Sequence, residues 1–153
     1  MIYNIYTIFK KQIASGKGGE GALKPVSGSF ICPMETINDS IKAMEETIKN
    51  LKLEGLKIGI ICNSNEIYNE TTGKYEMEGA KANFDCYQMT DYFTKLISDH
   101  PSIIYLQDPM ADIDLAGWHY LCQQMPTYYE EVKICCSSLF ANNIENVKKV
   151  MFT

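Results

Sequence analysis

Three short apolar runs, Leu56–Cys62, Ser102–Gln107 and Val132–Cys136, each have a helix-length segment behind them. Short runs without polar alternation are strands covered on both faces, a habit of parallel sheets whose crossovers are helices. The segments that follow carry apolar residues at helical spacing. Tyr92, Phe93, Leu96 and Ile97 mark roughly 87–98, Trp118 and Leu121 mark roughly 114–124, and a last helix is expected over 143–150. The pattern predicts an α/β chain with about three parallel βα units. Two helices come first. Ile2, Ile5, Phe9 and Ile13 share one face over 1–15, and Ile41, Met44, Ile48 and Leu51 share one face of a helix capped by Asn38 or Asp39. Between them lies a glycine-rich stretch, Ser15–Gly21, and Gly55 is expected to stop the second helix. Lys74–Met77 reads as a short strand or an extended arm.

The 153 residues are 46% hydrophobic and 22% charged, an ordinary globular composition for one domain. A formal charge of −5 with no basic block argues against nucleic acid as a partner. No apolar run approaches the roughly eighteen residues of a membrane span. Met1–Ile13 places Lys10 and Lys11 after its apolar part, the reverse of a secretory leader. Six cysteines (Cys32, Cys62, Cys86, Cys122, Cys135 and Cys136) form no CxxC or CxxH pair and sit mostly in apolar segments. Buried free thiols in a reducing compartment are expected, and a local Cys135–Cys136 bridge is disfavoured because adjacent strand residues point to opposite faces.

The run ending Leu106-Gln107-Asp108-Pro109 looks like a barrel strand that delivers polar side chains to the mouth of a parallel barrel, where such folds keep their chemistry. A closed barrel needs about 250 residues, so this chain is too short to be a whole one. Lys57-Ile-Gly-Ile-Ile-Cys-Asn-Ser-Asn-Glu-Ile-Tyr68, followed by Gly73-Lys-Tyr-Glu76, resembles the enolase segment Lys-Ile-Gly-Met-Asp-Val-Ala-Ala-Ser-Glu-Phe-Tyr and its Gly-Lys-Tyr-Asp. Pro101-Ser-Ile-Ile-Tyr-Leu-Gln-Asp-Pro109, with Gly117-Trp118 beyond, is similar to the enolase Pro-Val-Val-Ser-Ile-Glu-Asp-Pro and its Trp. Gly28-Ser-Phe30 sits where the family has Gly-Gly-Phe. Ile61-Cys62-Asn63-Ser64 is most similar to the divergent fourth, sperm-type branch.

The resemblance implies a single incomplete enolase-like barrel segment over 1–153: a helix over 1–15, a glycine-rich loop over 16–29, then a helix and βα units over 30–153. Enolases convert 2-phosphoglycerate to phosphoenolpyruvate, with Mg²⁺ stabilising an enediolate. Mg²⁺ is a hard ion that takes anionic oxygen in octahedral array. By the resemblance its three carboxylate positions fall on Ile61, Gln107 and Ser137, none of which is charged. The proton-delivering glutamate falls near Ser27. The family's lysine base and substrate histidine lie on later strands. The degenerate site therefore implies a non-catalytic structural or binding component, and the branch resemblance implies a cytoplasmic, sperm-tail or ciliary place with axonemal or cytoskeletal contacts. Its unpaired strand edges would be covered by a protein partner or by the remainder of its own barrel.

A second reading is a phosphopyruvate hydratase represented by a fragment or divergent chain. It requires Mg²⁺ and replacement ligands, with Asp108, Asp112 and Asp114 the nearby acids. A third is a small α/β regulatory domain unrelated to enolase. Plainer roles stand beside each residue. Asp-Pro is a common strand ending, so Asp108 has two equal explanations. Glu66 reads as a solvated loop residue. His100 is expected at a helix end as a cation or a solvated residue, and His119 on a helix surface. The Gly16–Gly21 loop lacks a P-loop ending and follows no strand, so it reads as a connector. Tyr128-Tyr129-Glu130-Glu131 reads equally as a partner surface or a solvated loop.

Overall fold

The computed structural model describes residues 2–15, 34, 36–77, 82–141 and 143–151. The chain divides into two units, Met1–Leu56 and Lys57–Thr153. The first contains helices α1 (Ile2–Ser15) and α2 (Ile37–Asn50). Its second helix is capped by Thr36, not by Asn38 or Asp39. The Thr36 hydroxyl oxygen accepts from the Asp39 N–H at 3.2 Å and donates to the Asp39 carboxylate at 2.6 Å. Asp39 instead occupies the first turn, where its charge complements the helix dipole. The helix stops at Asn50, before Gly55, because Lys52 turns left-handed, φ 53°, and the N–H groups of Lys52 and Leu53 close back onto Lys49 C=O at 3.0 Å and Ile48 C=O at 3.1 Å. The loop over 16–29, with Ser27 and Gly28-Ser-Phe30, lies outside the described residues.

The second unit follows the expected alternation, with additions. Strands β1 (Ile58–Ile61), β5 (Ile103–Gln107) and β6 (Lys133–Cys135) form a parallel sheet in the order β1-β5-β6. Helix α3 (Cys86–Asp99) lies between β1 and β5 in the chain, and α4 (Leu115–Tyr128) between β5 and β6. This is a partial α/β barrel sheet, open at both edges among the described residues. Within the first βα unit the chain makes a second sheet, antiparallel, from β2 (Tyr68–Asn69), β3 (Lys74–Met77) and β4 (Ala82–Phe84). The Lys74–Met77 segment is therefore a paired strand. After β6 come a four-residue helix α5 (Ser137–Phe140) and then α6 (Ile144–Met151).

The core draws Ile58, Ile103 and Leu106 from the strands, Met89, Phe93, Leu96 and Ile97 from α3, and Trp118, Leu121 and Met125 from α4. Each such side chain contributes about 1.5–3 kcal/mol on burial. Two caps fix where the helices begin. Asp85 and Gln88 form a reciprocal capping box on α3, at 2.9 and 3.1 Å. Asp114 caps α4 through the Gly117 N–H at 2.9 Å, and a Cβ on Gly117 would collide with that carboxylate. Gly59 serves packing: a Cβ there would meet the Tyr105 ring at 3.3 Å.

Candidate functional site

In a parallel sheet every strand ends on the same side, so the residues at the three C-terminal tips gather without further design. Ile61 and Gln107 are register partners, and Gln107 in turn faces Cys135. Ser137 stands just beyond β6. The Gln107 Nε2 donates to Ser137 Oγ at 3.2 Å, and Tyr105 O–H donates to Gln107 Oε1 at 3.1 Å. Ile61, Gln107 and Ser137 thus meet at one end of the sheet. Ile61 is 69% exposed there, a bare aliphatic group at the rim.

Asp108 is the centre of this end. Its carboxylate accepts from Ser137 N–H at 2.7 Å, from Ser138 N–H at 3.0 Å and from Ser138 O–H at 3.0 Å, with a further bond from Ser137 O–H. Its backbone N–H donates to Cys135 C=O at 2.8 Å, and its C=O accepts from Ser64 N–H at 3.1 Å. Ser64, itself fully buried, donates its hydroxyl to Pro109 C=O at 2.8 Å. Burial raises the Asp108 pKa, but the Ser137 and Ser138 hydrogen bonds outweigh it, and the group ends below the ordinary aspartate value. The backbone at Asp108 is left-handed, φ 49°, an unfavourable conformation for the residue before a proline. Asp108 is the first residue after β5, and its side chain is turned onto Ser137 and Ser138.

Thiols near this end are quiet. Burial, and then the Asp108 charge, push Cys62 up to about 12. Burial, followed by Cys122, Cys135 and Asp108, pushes Cys136 up to about 11. The described cysteines carry no disulfide, but the expected burial is only partial, since Cys122 is exposed and the others are intermediate. The half-covered ones lie at element ends: Cys62 follows β1, Cys86 opens α3, Cys135 ends β6 and Cys136 precedes α5.

The possible replacement acids do not converge. Asp114 spends one oxygen on the α4 cap and the other on Tyr75 O–H at 2.6 Å. The same Tyr75 hydroxyl accepts from Ala111 N–H at 3.1 Å. Tyr75 is fully buried, and burial followed by the bond to Asp114 raises its pKa strongly. Asp112 is held by its backbone, whose N–H donates to Asn65 Oδ1 at 2.8 Å. Among the described residues no group of three or more His, Cys, Asp and Glu side chains is arranged to hold a metal ion. The atoms at the tips do not fit Mg²⁺: an aliphatic chain, an amide, a hydroxyl and a carboxylate whose oxygens are already engaged.

The remaining expectations fall out as follows. Glu66 is exposed in the short 3-10 turn Ser64–Ile67. His119 is exposed on α4, 2.8 Å from Gln123. His100 is not solvated: it is 3% exposed as the C-cap of α3, enclosed because the chain turns straight into β5. Tyr129 is anchored rather than displayed, its hydroxyl donating to Thr94 C=O at 3.0 Å. Tyr75 enters the sequence reading only within the Gly73-Lys-Tyr-Glu76 match, with no role of its own. No helix among the described residues is long and apolar enough to cross a membrane.

Residues 2–152 match the protein family described as "Enolase, C-terminal TIM barrel domain". Curated relatives named "Enolase" include those of Lactobacillus helveticus (26% identical over 98% of this chain and 34% of the relative) and Bifidobacterium animalis subsp. lactis (30%, over 96% and 32%). That of Methanococcus aeolicus is 25% identical over 97% of this chain and 34% of the relative. The chain spans about a third of the length of the curated relatives it matches.

Proposed function

The chain belongs to the enolase family, within its C-terminal TIM barrel domain, and from that premise we propose that it forms part of an enolase-type protein in which these three strand tips serve as scaffold rather than as a Mg²⁺ site. The observation that carries this reading is the self-contained hydrogen bonding of Asp108, Ser137 and Gln107 beside the exposed Ile61. Without carboxylates at Ile61, Gln107 and Ser137, the tips lack the charge to offset a phosphate, a carboxylate and a developing enediolate together. That electrostatic term is usually the largest in such catalysis. A structural or binding role for the chain follows, with a protein partner, or the remainder of its own barrel, covering the open edges of β1 and β6.

Lineage favours the other reading of activity. The relatives reported above are all named Enolase, which supports phosphopyruvate hydratase as the activity of the whole protein. That reading asks for Mg²⁺ and for acids other than Ile61, Gln107 and Ser137. A cytoplasmic location goes with it. The sperm-tail or ciliary location and axonemal or cytoskeletal partners rest on the Ile61–Ser64 resemblance, and the bacterial and archaeal relatives lend them no support. The family match removes the unrelated regulatory domain from consideration.

The test is Mg²⁺-dependent dehydration of 2-phosphoglycerate, followed by the absorbance of the enol product, together with calorimetric titration of Mg²⁺. No turnover and no saturable magnesium heat are expected of this chain. Turnover that chelation abolishes would establish the hydratase reading instead.

A further inference from the structure

We infer that a closed hydrogen-bond network centred on Asp108 ties the tips of β1, β5 and β6 together in place of a divalent cation, and that it keeps such a cation out. The inference rests on the scaffold reading of these tips.

The network can be followed atom by atom. Asp108 meets four donors, three at Oδ1 (the N–H groups of Ser137 and Ser138 and the Ser138 O–H) and the Ser137 O–H at Oδ2, so both carboxylate oxygens are engaged. Upstream, the chain of donors runs from Tyr105 O–H to Gln107 Oε1, from Gln107 Nε2 to Ser137 Oγ, and from Ser137 O–H to Asp108. The one side-chain oxygen of Gln107 therefore faces a proton donor. The Ser137 hydroxyl accepts and donates at once. The backbone of Asp108 completes the tie, with its N–H on Cys135 of β6 and its C=O on Ser64 beyond β1.

A cation at this end would have to strip donors from Asp108 and turn Gln107 away from Tyr105. Ile61, at 69% exposure, would offer it nothing in return. Hydrogen bonds to an ionised group are about twice as strong as neutral ones, so the exchange is unfavourable at each step. The left-handed backbone of Asp108 before Pro109 points the same way. Such a conformation persists where its surroundings over-determine it, and here both backbone groups and the carboxylate are all engaged.

The test is amide hydrogen exchange at Ser137 and Ser138, read in the whole chain with Mg²⁺ alone and with chelator. In the native sequence the two conditions should give the same rates. Asp108→Asn should speed exchange at both amides by about tenfold, the effect of losing charge-assisted bonds. Ser138→Ala, which removes one donor and leaves the backbone pairing intact, should speed exchange less. Slowing by Mg²⁺ in the native sequence, or rates in Asp108→Asn that match the native ones, would overturn the inference. If Asp108→Asn fails to fold, Ser138→Ala carries the test: unchanged exchange at the Ser137 amide would overturn it. Turnover of 2-phosphoglycerate together with exchange indifferent to Mg²⁺ would sink the non-catalytic role of the chain and leave the tie at Asp108 standing.

Discussion

The two faces of the parallel sheet follow different rules. On one, Ile60, Leu106 and Ile134 stand in register across the three strands, and Leu106 is fully buried. On the other, the rows are Gly59, Tyr105 and Lys133, then Ile61, Gln107 and Cys135, where Lys133 is exposed and Ile61 is 69% exposed. Strand alternation puts neighbours on opposite faces, so single-residue steps separate the two regimes. The first face is held by apolar area and tolerates only similar volumes. The second is held by directed hydrogen bonds at its rim, and those bonds depend on the identity of each polar atom rather than on volume.

The largest effects should break that contrast. Leu106→Ala should cost about 2–5 kcal/mol in denaturant unfolding, as expected for a large-to-small change in a packed core. Ile61→Ala, one row further along the sheet, should stay within about 0.5 kcal/mol as an exposed substitution. Equal losses at the two positions would erase the distinction. Next, Gly117→Ala should cost about 1–2 kcal/mol, because its Cβ displaces the Asp114 cap and with it the Tyr75 bond. Tyr75→Phe should cost about 1–2 kcal/mol, because it removes the bond to Asp114 and takes the acceptor from the buried Ala111 N–H, measured by the same unfolding titration.

The polar rim also has a signature in pH. The Asp108 pKa is lowered in the folded chain, so its contribution is present above the unfolded aspartate value of about 3.9 and is lost as pH falls through the folded value. The stability gap between the native chain and Asp108→Asn should therefore be full near neutrality and close progressively below about pH 4. A gap that is flat through acid would mean that the charge of Asp108 contributes nothing. The smallest effect concerns thiols. With Cys62 pushed up to about 12 and partly buried, maleimide at neutral pH should label the exposed Cys122 first. Labelling of Cys62 at the same rate would mean that this end of the sheet opens readily.

What could be read in the sequence divides along the same line. The βα alternation, the parallel sheet and the convergence of Ile61, Gln107 and Ser137 were legible, because apolar runs and a family-like Asp-Pro each leave a local mark. The Asp85 and Gln88 capping box carries an equally local mark, an acid three residues before a glutamine. The second, antiparallel sheet was only half visible. Its strands are two to four residues long, and pairing such as that of Tyr68 with Tyr75 leaves no periodicity to detect. The role of Asp108 was not legible at all. It depends on partners 29 and 30 residues away, and on a left-handed backbone that no spacing rule announces before proline.

Those separations bear on the order in which the chain folds. Ser64 bonds to Pro109 across 45 residues, and Asp108 to Ser137 across 29, so α3 and α4 must both be in place before the tips can meet. Closing such loops early would cost chain entropy before any contact rewarded it. The tie at Asp108 is therefore expected to form late, outside the folding nucleus. Loosening it should leave the refolding rate nearly unchanged and appear almost wholly as faster unfolding. Asp108 acts as a latch on the finished sheet, setting how long the folded state lasts rather than how quickly it forms.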